Sequence, residues 1–176
     1  MRIICFGDSN TYGYDPRGWG GRYGAGERWV DLLAALCGHE VVNAGANGRE
    51  VPRHPASRQA AEKYGPADVF LVMLGTNDLL EGASAAETAA RMGDFLHWLS
   101  PRQILLVAPP PMVRGAWVPT DGLVQESVQL AEEYRRLGVP FVDTRSWNIP
   151  MAFDGVHFTE EGHRIFASRL APYLPR

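Results

Sequence analysis

The sequence is poor in cysteine: 176 residues contain two, Cys5 and Cys37, neither in a CxxC pair. Two isolated thiols exclude a disulfide framework and a thiolate zinc site, and they suit a reducing compartment. Long apolar runs are missing as well. The N-terminal run Ile3 to Phe6 is too brief for a signal peptide or a transmembrane helix, so a cytoplasmic protein with no membrane partner is expected. Excess positive charge is also absent. With 17 basic against 20 acidic side chains the net charge is -3, which argues against nucleic acid as a partner. No repeat, low-complexity tract or linker divides the chain, and residues 1–176 read as a single domain. No His spacing resembles HExxH, and the glycine-rich segment Gly13 to Gly26 offers neither GxGxxG nor GK[ST]. Hence no metal and no organic cofactor are expected.

What is present is ordinary globular material: 45% hydrophobic and 21% charged residues, on a chain long enough to bury about two-thirds of its unfolded surface. Short, continuous apolar runs at Ile3 to Phe6, Val41 to Asn43, Val69 to Leu74, Ile104 to Ala108 and Val139 to Val142 read as buried strands. Helical patterns separate them. Trp29, Leu32, Leu33 and Leu36 form one stripe ending at Gly38, and a weaker helix spans about Ala56 to Tyr64. Ser84 and Glu87 form a capping box ahead of Met92, Phe95, Leu96 and Leu99. Further helices run from about Leu123 to Leu137 and from Thr159 onward. Strands alternating with helices predict an α/β domain: a three-layer α/β/α, flavodoxin-like arrangement with a five-stranded parallel sheet in the order 2-1-3-4-5. Ligands of such sheets bind beyond the carboxyl ends of the strands.

Polar clusters fall at those ends. The first strand ends in GDSN with Ser9, the second in NAGANGRE with Asn47 and Gly48, and the third in GTND with Asn77; DGVH follows the fifth, with Asp154 and His157. GDSN by itself admits two readings. It is either a βα turn with Ser9 or Asn10 as helix N-cap, or a nucleophile presented at a strand end. The four loops together hold every part that acyl transfer needs: Ser9 to attack, His157 as base, Asp154 to orient it, and donors for the oxyanion. Those donors are the N–H of Ser9, the N–H of Gly48 and the amide of Asn77.

The blocks GDSN, NAGANG, GTND and DGVH, in that order, resemble those of the SGNH (GDSL-type) esterase and lipase superfamily. The longer stretches CFGDSNTYGYD, MLGTND, ILLVAPPP, VPFVDTRS and DGVHFTEEGH are similar to its arylesterase and acyltransferase branch. The resemblance implies a flavodoxin-like fold, a triad of Ser9, His157 and Asp154, and an oxyanion hole built from Ser9, Gly48 and Asn77. It also implies a small-molecule ester substrate and, by analogy with the arylesterases, a homo-oligomer. One position departs: the first block usually reads GDSL or GDST, and residue 10 here is Asn10.

The expected activity is therefore hydrolysis of small, short-acyl esters through an acyl-enzyme on Ser9. The alternatives are a carbohydrate deacetylase, thioesterase or acyltransferase with the same triad, or a non-catalytic ligand-binding domain. Asn10, Tyr12, Trp19 and Trp117 are candidate substrate-binding residues, with Tyr14 and Met112 as further parts of an apolar rim. The glycine-rich segment reads as a mobile loop beside the nucleophile. Ser84 is best explained as a cap, and His39, His54, His97 and His163 as solvated or partly buried.

Overall fold

The computed structural model describes residues 1–18, 20–99 and 103–175. In chain order the elements are β1 (Arg2–Gly7), α1 (Ser9–Tyr12), β2 (Tyr14–Asp15), β3 (Gly21–Arg22), α2 (Trp29–Cys37), β4 (Glu40–Gly45) and α3 (Pro55–Glu62). Then come β5 (Val69–Met73), α4 (Thr76–Leu80), α5 (Ala85–Leu99), β6 (Ile104–Val107), α6 (Asp121–Arg135), β7 (Phe141–Val142) and α7 (Glu160–Leu170). Among the described residues, five strands form one parallel sheet in the order β4-β1-β5-β6-β7, which is 2-1-3-4-5 when its strands alone are numbered. The predicted topology is the observed one.

The strand sequences carry little alternation because both faces of the sheet are covered. From β1 and β5, Ile4, Phe6, Phe70 and Val72 face one layer, where they pack with Met92, Phe95 and Leu96 of α5 and Leu130 and Tyr134 of α6. Their neighbours Ile3, Cys5, Val69, Leu71 and Met73 face the other, against Trp29 and Leu33 of α2 and Phe166 and Leu170 of α7. Period-two side-chain alternation thus divides one apolar run between two cores. Each fully buried Leu, Ile or Phe contributes roughly 1.5–3 kcal/mol.

Local signals set most helix ends. Gly38 closes α2 in the left-handed conformation. Ser84 Oγ accepts from the Glu87 N–H at 3.2 Å while Glu87 Oε2 accepts from the Ser84 N–H at 2.8 Å, which realises the predicted capping box. Thr159 caps α7 through its hydroxyl.

Four expectations change. The cap of α1 is Asp8, whose Oδ1 accepts from the Asn10 N–H at 3.0 Å, so Ser9 and Asn10 lie inside the helix rather than capping it. The glycine-rich segment is not an unpaired loop: Tyr14 and Asp15 pair antiparallel with Arg22 and Gly21, a small ribbon that brings Tyr14 back toward the strand ends. Met112 is buried in the core beside α6 rather than on a rim, with its N–H donated to Ser127 Oγ. His163 is fully buried, because α7 turns it against Tyr23, Trp29 and Phe158.

Candidate active site

The carboxyl edge of the sheet gathers the polar loops. β1 runs straight into α1, which places Ser9 in the first helical position, 7% exposed, with its N–H at the open end of the helix. The segment after β7 reaches the same edge and turns at Gly155, whose φ is +82°. A Cβ there would lie 2.1 Å from the Val113 carbonyl oxygen, so both conformation and space demand glycine. That turn folds Asp154 back onto His157. Asp154 Oδ1 accepts from the N–H groups of Val156 at 2.9 Å and His157 at 3.0 Å, and Oδ2 lies 2.7 Å from His157 Nδ1. The other ring nitrogen, Nε2, lies 3.0 Å from Ser9 Oγ.

The electrostatics order this chain of contacts. Burial pushes the Asp154 carboxyl up, but the side-chain hydrogen bond from His157 and the N–H groups of His157 and Val156 outweigh it and hold the pKa below the usual aspartate value. An ionised carboxylate only accepts, so the imidazole carries its proton on Nδ1. Nε2 is then left bare to accept from the Ser9 hydroxyl. Asp8, the buried cap of α1, behaves oppositely. Burial raises its pKa to about 6 despite the Asn10 N–H and the nearby Arg49 charge, which pull it down.

Gly48 and Asn77 reach the site from β4 and β5. Gly48 has a φ of +70°, and the space where its Cβ would lie is open. Asn77 Nδ2 donates to the Arg49 carbonyl at 3.1 Å, which ties α4 to the Gly48 loop. The next residue strengthens that tie. Asp78, fully buried, accepts from the Val51 N–H and from Arg91 Nη1, both at 2.9 Å. Asp78 is not among the candidate site residues that the sequence points to. The signal that it does more is its place one residue after Asn77, opposite an arginine in α5.

A cavity of about 230 Å³ opens over Ser9 and His157, lined also by Tyr14, Asn47, Gly48, Asn77 and Trp117. Tyr14 and Trp117 flank the imidazole, with ring centroids 4.6 and 5.2 Å from it. Ser9, Gly48, Asn77, Trp117 and His157 thus meet at one cavity, with Asp154 behind the imidazole. Asn10 and Tyr12 do not line it: the Asn10 amide is bound to Val156 and Phe158, and the Tyr12 ring lies under Arg22 at 4.1 Å. Trp19 lies outside the described residues. Asn47, not singled out as a contact, is part of the wall. A larger depression of about 540 Å³, lined in part by His97, Leu137 and Val139, lies at the opposite edge of the sheet, and its described lining residues include no nucleophile paired with a base.

A serine hydroxyl, an imidazole and a buried carboxylate in line at the carboxyl edge of a parallel sheet have the geometry of a serine hydrolase. The chain belongs to the GDSL-like lipase/acylhydrolase family, whose model matches residues 5–165. It is similar to a GDSL lipase of Mycobacterium tuberculosis, 28% identical over 189 residues covering 98% of this chain and 80% of the relative. Among solved structures it resembles a carbohydrate acetylesterase family member from Sinorhizobium meliloti, with a TM-score of 0.83 and 28% identity over 97% of this chain and 95% of that one. It also resembles the aryl esterase of M. smegmatis, with a TM-score of 0.84 and 26% identity over 97% and 96% of the two chains. The protein is a serine esterase acting on ester bonds. No helix among its described residues is long and apolar enough to cross a membrane.

Proposed function

We propose that the protein cleaves small, short-acyl esters through an acyl-enzyme on Ser9. His157 Nε2 takes the Ser9 proton as Oγ attacks the ester carbonyl, and the N–H groups of Ser9 and Gly48 with the Asn77 amide receive the developing oxyanion. His157 then protonates the leaving alcohol. Water, activated by the same imidazole, releases the acid and restores Ser9. Asp154 stays ionised throughout and stabilises the imidazolium.

The observation that carries this reading is the 3.0 Å contact between Ser9 Oγ and His157 Nε2 at the floor of the cavity. The short-acyl preference rests on size: about 230 Å³ is below the roughly 300–1,000 Å³ of drug-sized sites. A carbohydrate acetyl ester is a second reading, favoured by the likeness to the Sinorhizobium meliloti structure. The free thiols Cys5 and Cys37 support a cytoplasmic setting.

A panel of p-nitrophenyl esters from acetyl to palmitoyl, run beside acetylated sugars, tests the proposal. Turnover is expected to fall with acyl length and to vanish in Ser9→Ala, and a fluorophosphonate is expected to label Ser9. Turnover that rises with chain length would overturn the short-acyl preference, and an active Ser9→Ala variant would overturn the mechanism.

A further inference from the structure

Asn10, the position where the first block departs from GDSL and GDST, is 5% exposed, and its amide is committed at both ends. Nδ2 donates to the Val156 carbonyl at 3.0 Å, and Oδ1 accepts from the Phe158 N–H at 2.9 Å. Those two peptide groups flank His157. The amide pairs with them as an adjacent strand would, one donor and one acceptor in complementary order. Asn10 is itself held at the backbone: its N–H donates to Asp8 Oδ1 at 3.0 Å, and its carbonyl accepts from Trp29 Nε1 at 2.9 Å.

The position of these bonds matters more than their number. The Asp154 contact orients the imidazole, but Asp154 and His157 belong to one turn, so that bond moves with the turn and cannot set its distance from Ser9. Val113, Ala116 and Trp117 hold the other side of the turn through their N–H groups, and Tyr23 Oη donates to the Phe158 carbonyl at 3.3 Å. Asn10 joins the turn to the nucleophile's own helix, across 146 and 148 residues of sequence.

We propose that Asn10 is a positioning residue: its amide locks the backbone on both sides of His157 to the Ser9 helix and so holds Nε2 within reach of Oγ. This rests on the reading of Ser9 and His157 as nucleophile and base. A leucine at position 10 would leave the Val156 carbonyl and the Phe158 N–H without these partners in a buried place. An aspartate, nearly the same shape, would keep the acceptor for Phe158 and face the Val156 carbonyl with a second oxygen.

The test compares Asn10→Leu and Asn10→Asp, each alone and combined with His157→Ala, on p-nitrophenyl acetate. With His157 present, kcat is expected to fall about 10- to 100-fold while KM stays within about threefold, the penalty of a misplaced base. In the His157→Ala background the same substitutions are expected to change the residual rate by less than about twofold. An equal fractional loss in both backgrounds, or an unchanged kcat, overturns the proposal. Asn10→Asp keeps the test decisive if the leucine variant does not fold.

Amide hydrogen exchange reads the lock without turnover. The Phe158 N–H is expected to exchange about tenfold faster in Asn10→Leu, which removes its acceptor, while Leu71 in β5 keeps its protection; in Asn10→Asp, which keeps the acceptor, it is expected to stay protected. Unchanged exchange at Phe158 in Asn10→Leu overturns the lock. Wild-type protein that neither turns over esters nor takes a fluorophosphonate overturns the esterase reading, and with it the catalytic consequence of the lock. The exchange measurement separates these two failures.

Discussion

Asp154 uses its two oxygens differently. Oδ1 gathers the N–H groups of Val156 and His157 and so shapes the turn, while Oδ2 faces Nδ1 and sets which ring nitrogen is bare. Asp154→Asn puts a donor near one of those positions and favours the other tautomer, so kcat is expected to fall about 10⁴-fold with the far-ultraviolet circular dichroism unchanged. In the proposed mechanism Asn77 has a narrower task. Its removal as Asn77→Ala is expected to lower kcat about 10²- to 10³-fold with little change in KM, as loss of one oxyanion donor does. Steady-state kinetics on p-nitrophenyl acetate checks both, and a change confined to KM would assign Asn77 to ground-state binding.

At the scale of elements, two joints hold the catalytic edge. The first is the turn at Gly155, where a side chain would meet the Val113 carbonyl and would have to adopt a positive φ. Gly155→Ala is expected to destabilise the fold by about 1–3 kcal/mol in urea denaturation and to slow fluorophosphonate labelling of Ser9. The second joint is Asp78 with Arg91. Arg91→Met leaves the Asp78 carboxylate buried with the Val51 N–H as its remaining bond, and a loss of about 1.5–3 kcal/mol is expected in the same assay. The strands and the long helices were legible in sequence because each carries a period over enough residues to be counted. The four-residue α1, the five-residue α4 and the two-residue strands β2 and β3 were not, because they are shorter than any period that could reveal them.

Over the whole molecule, His163 makes the pH dependence of folding a test of the packing. It joins α7 to Trp29, whose N–H donates to Nδ1 at 3.3 Å, and lies edge-on to Tyr23 and Phe158. Burial, with help from the charge of Arg28, lowers its pKa to about 3, so the fold holds it neutral. The sign follows from linkage. The unfolded chain takes up a proton near pH 6.5 that the native state refuses, so the contribution of His163 is complete above that pH and is lost as pH falls toward 3. Asp8, with its pKa raised to about 6, acts in the opposite sense over much of this range, since protonation relieves its burial. A comparison of wild type with His163→Asn cancels the Asp8 contribution. Between pH 7 and pH 4 the difference in unfolding free energy is expected to move by about 3 kcal/mol in favour of the variant. A constant difference would show that His163 is not buried neutral.

The sequence by itself determined the layers and the strand order, and it supplied the candidate reacting groups. Buried parallel strands are continuous apolar runs, crossovers have one hand, and GDSN, GTND and DGVH each place their polar residues within a few positions of a strand end or turn. Tertiary structure alone decided which of the candidates touch. Tyr14 and Asn47 reach the cavity, Tyr12 and Asn10 do not, and Asn10 instead binds the backbone beside His157, 146 and 148 residues away. Contacts of that kind have no period and no local signature. They depend on how two distant turns are brought face to face by the sheet between them.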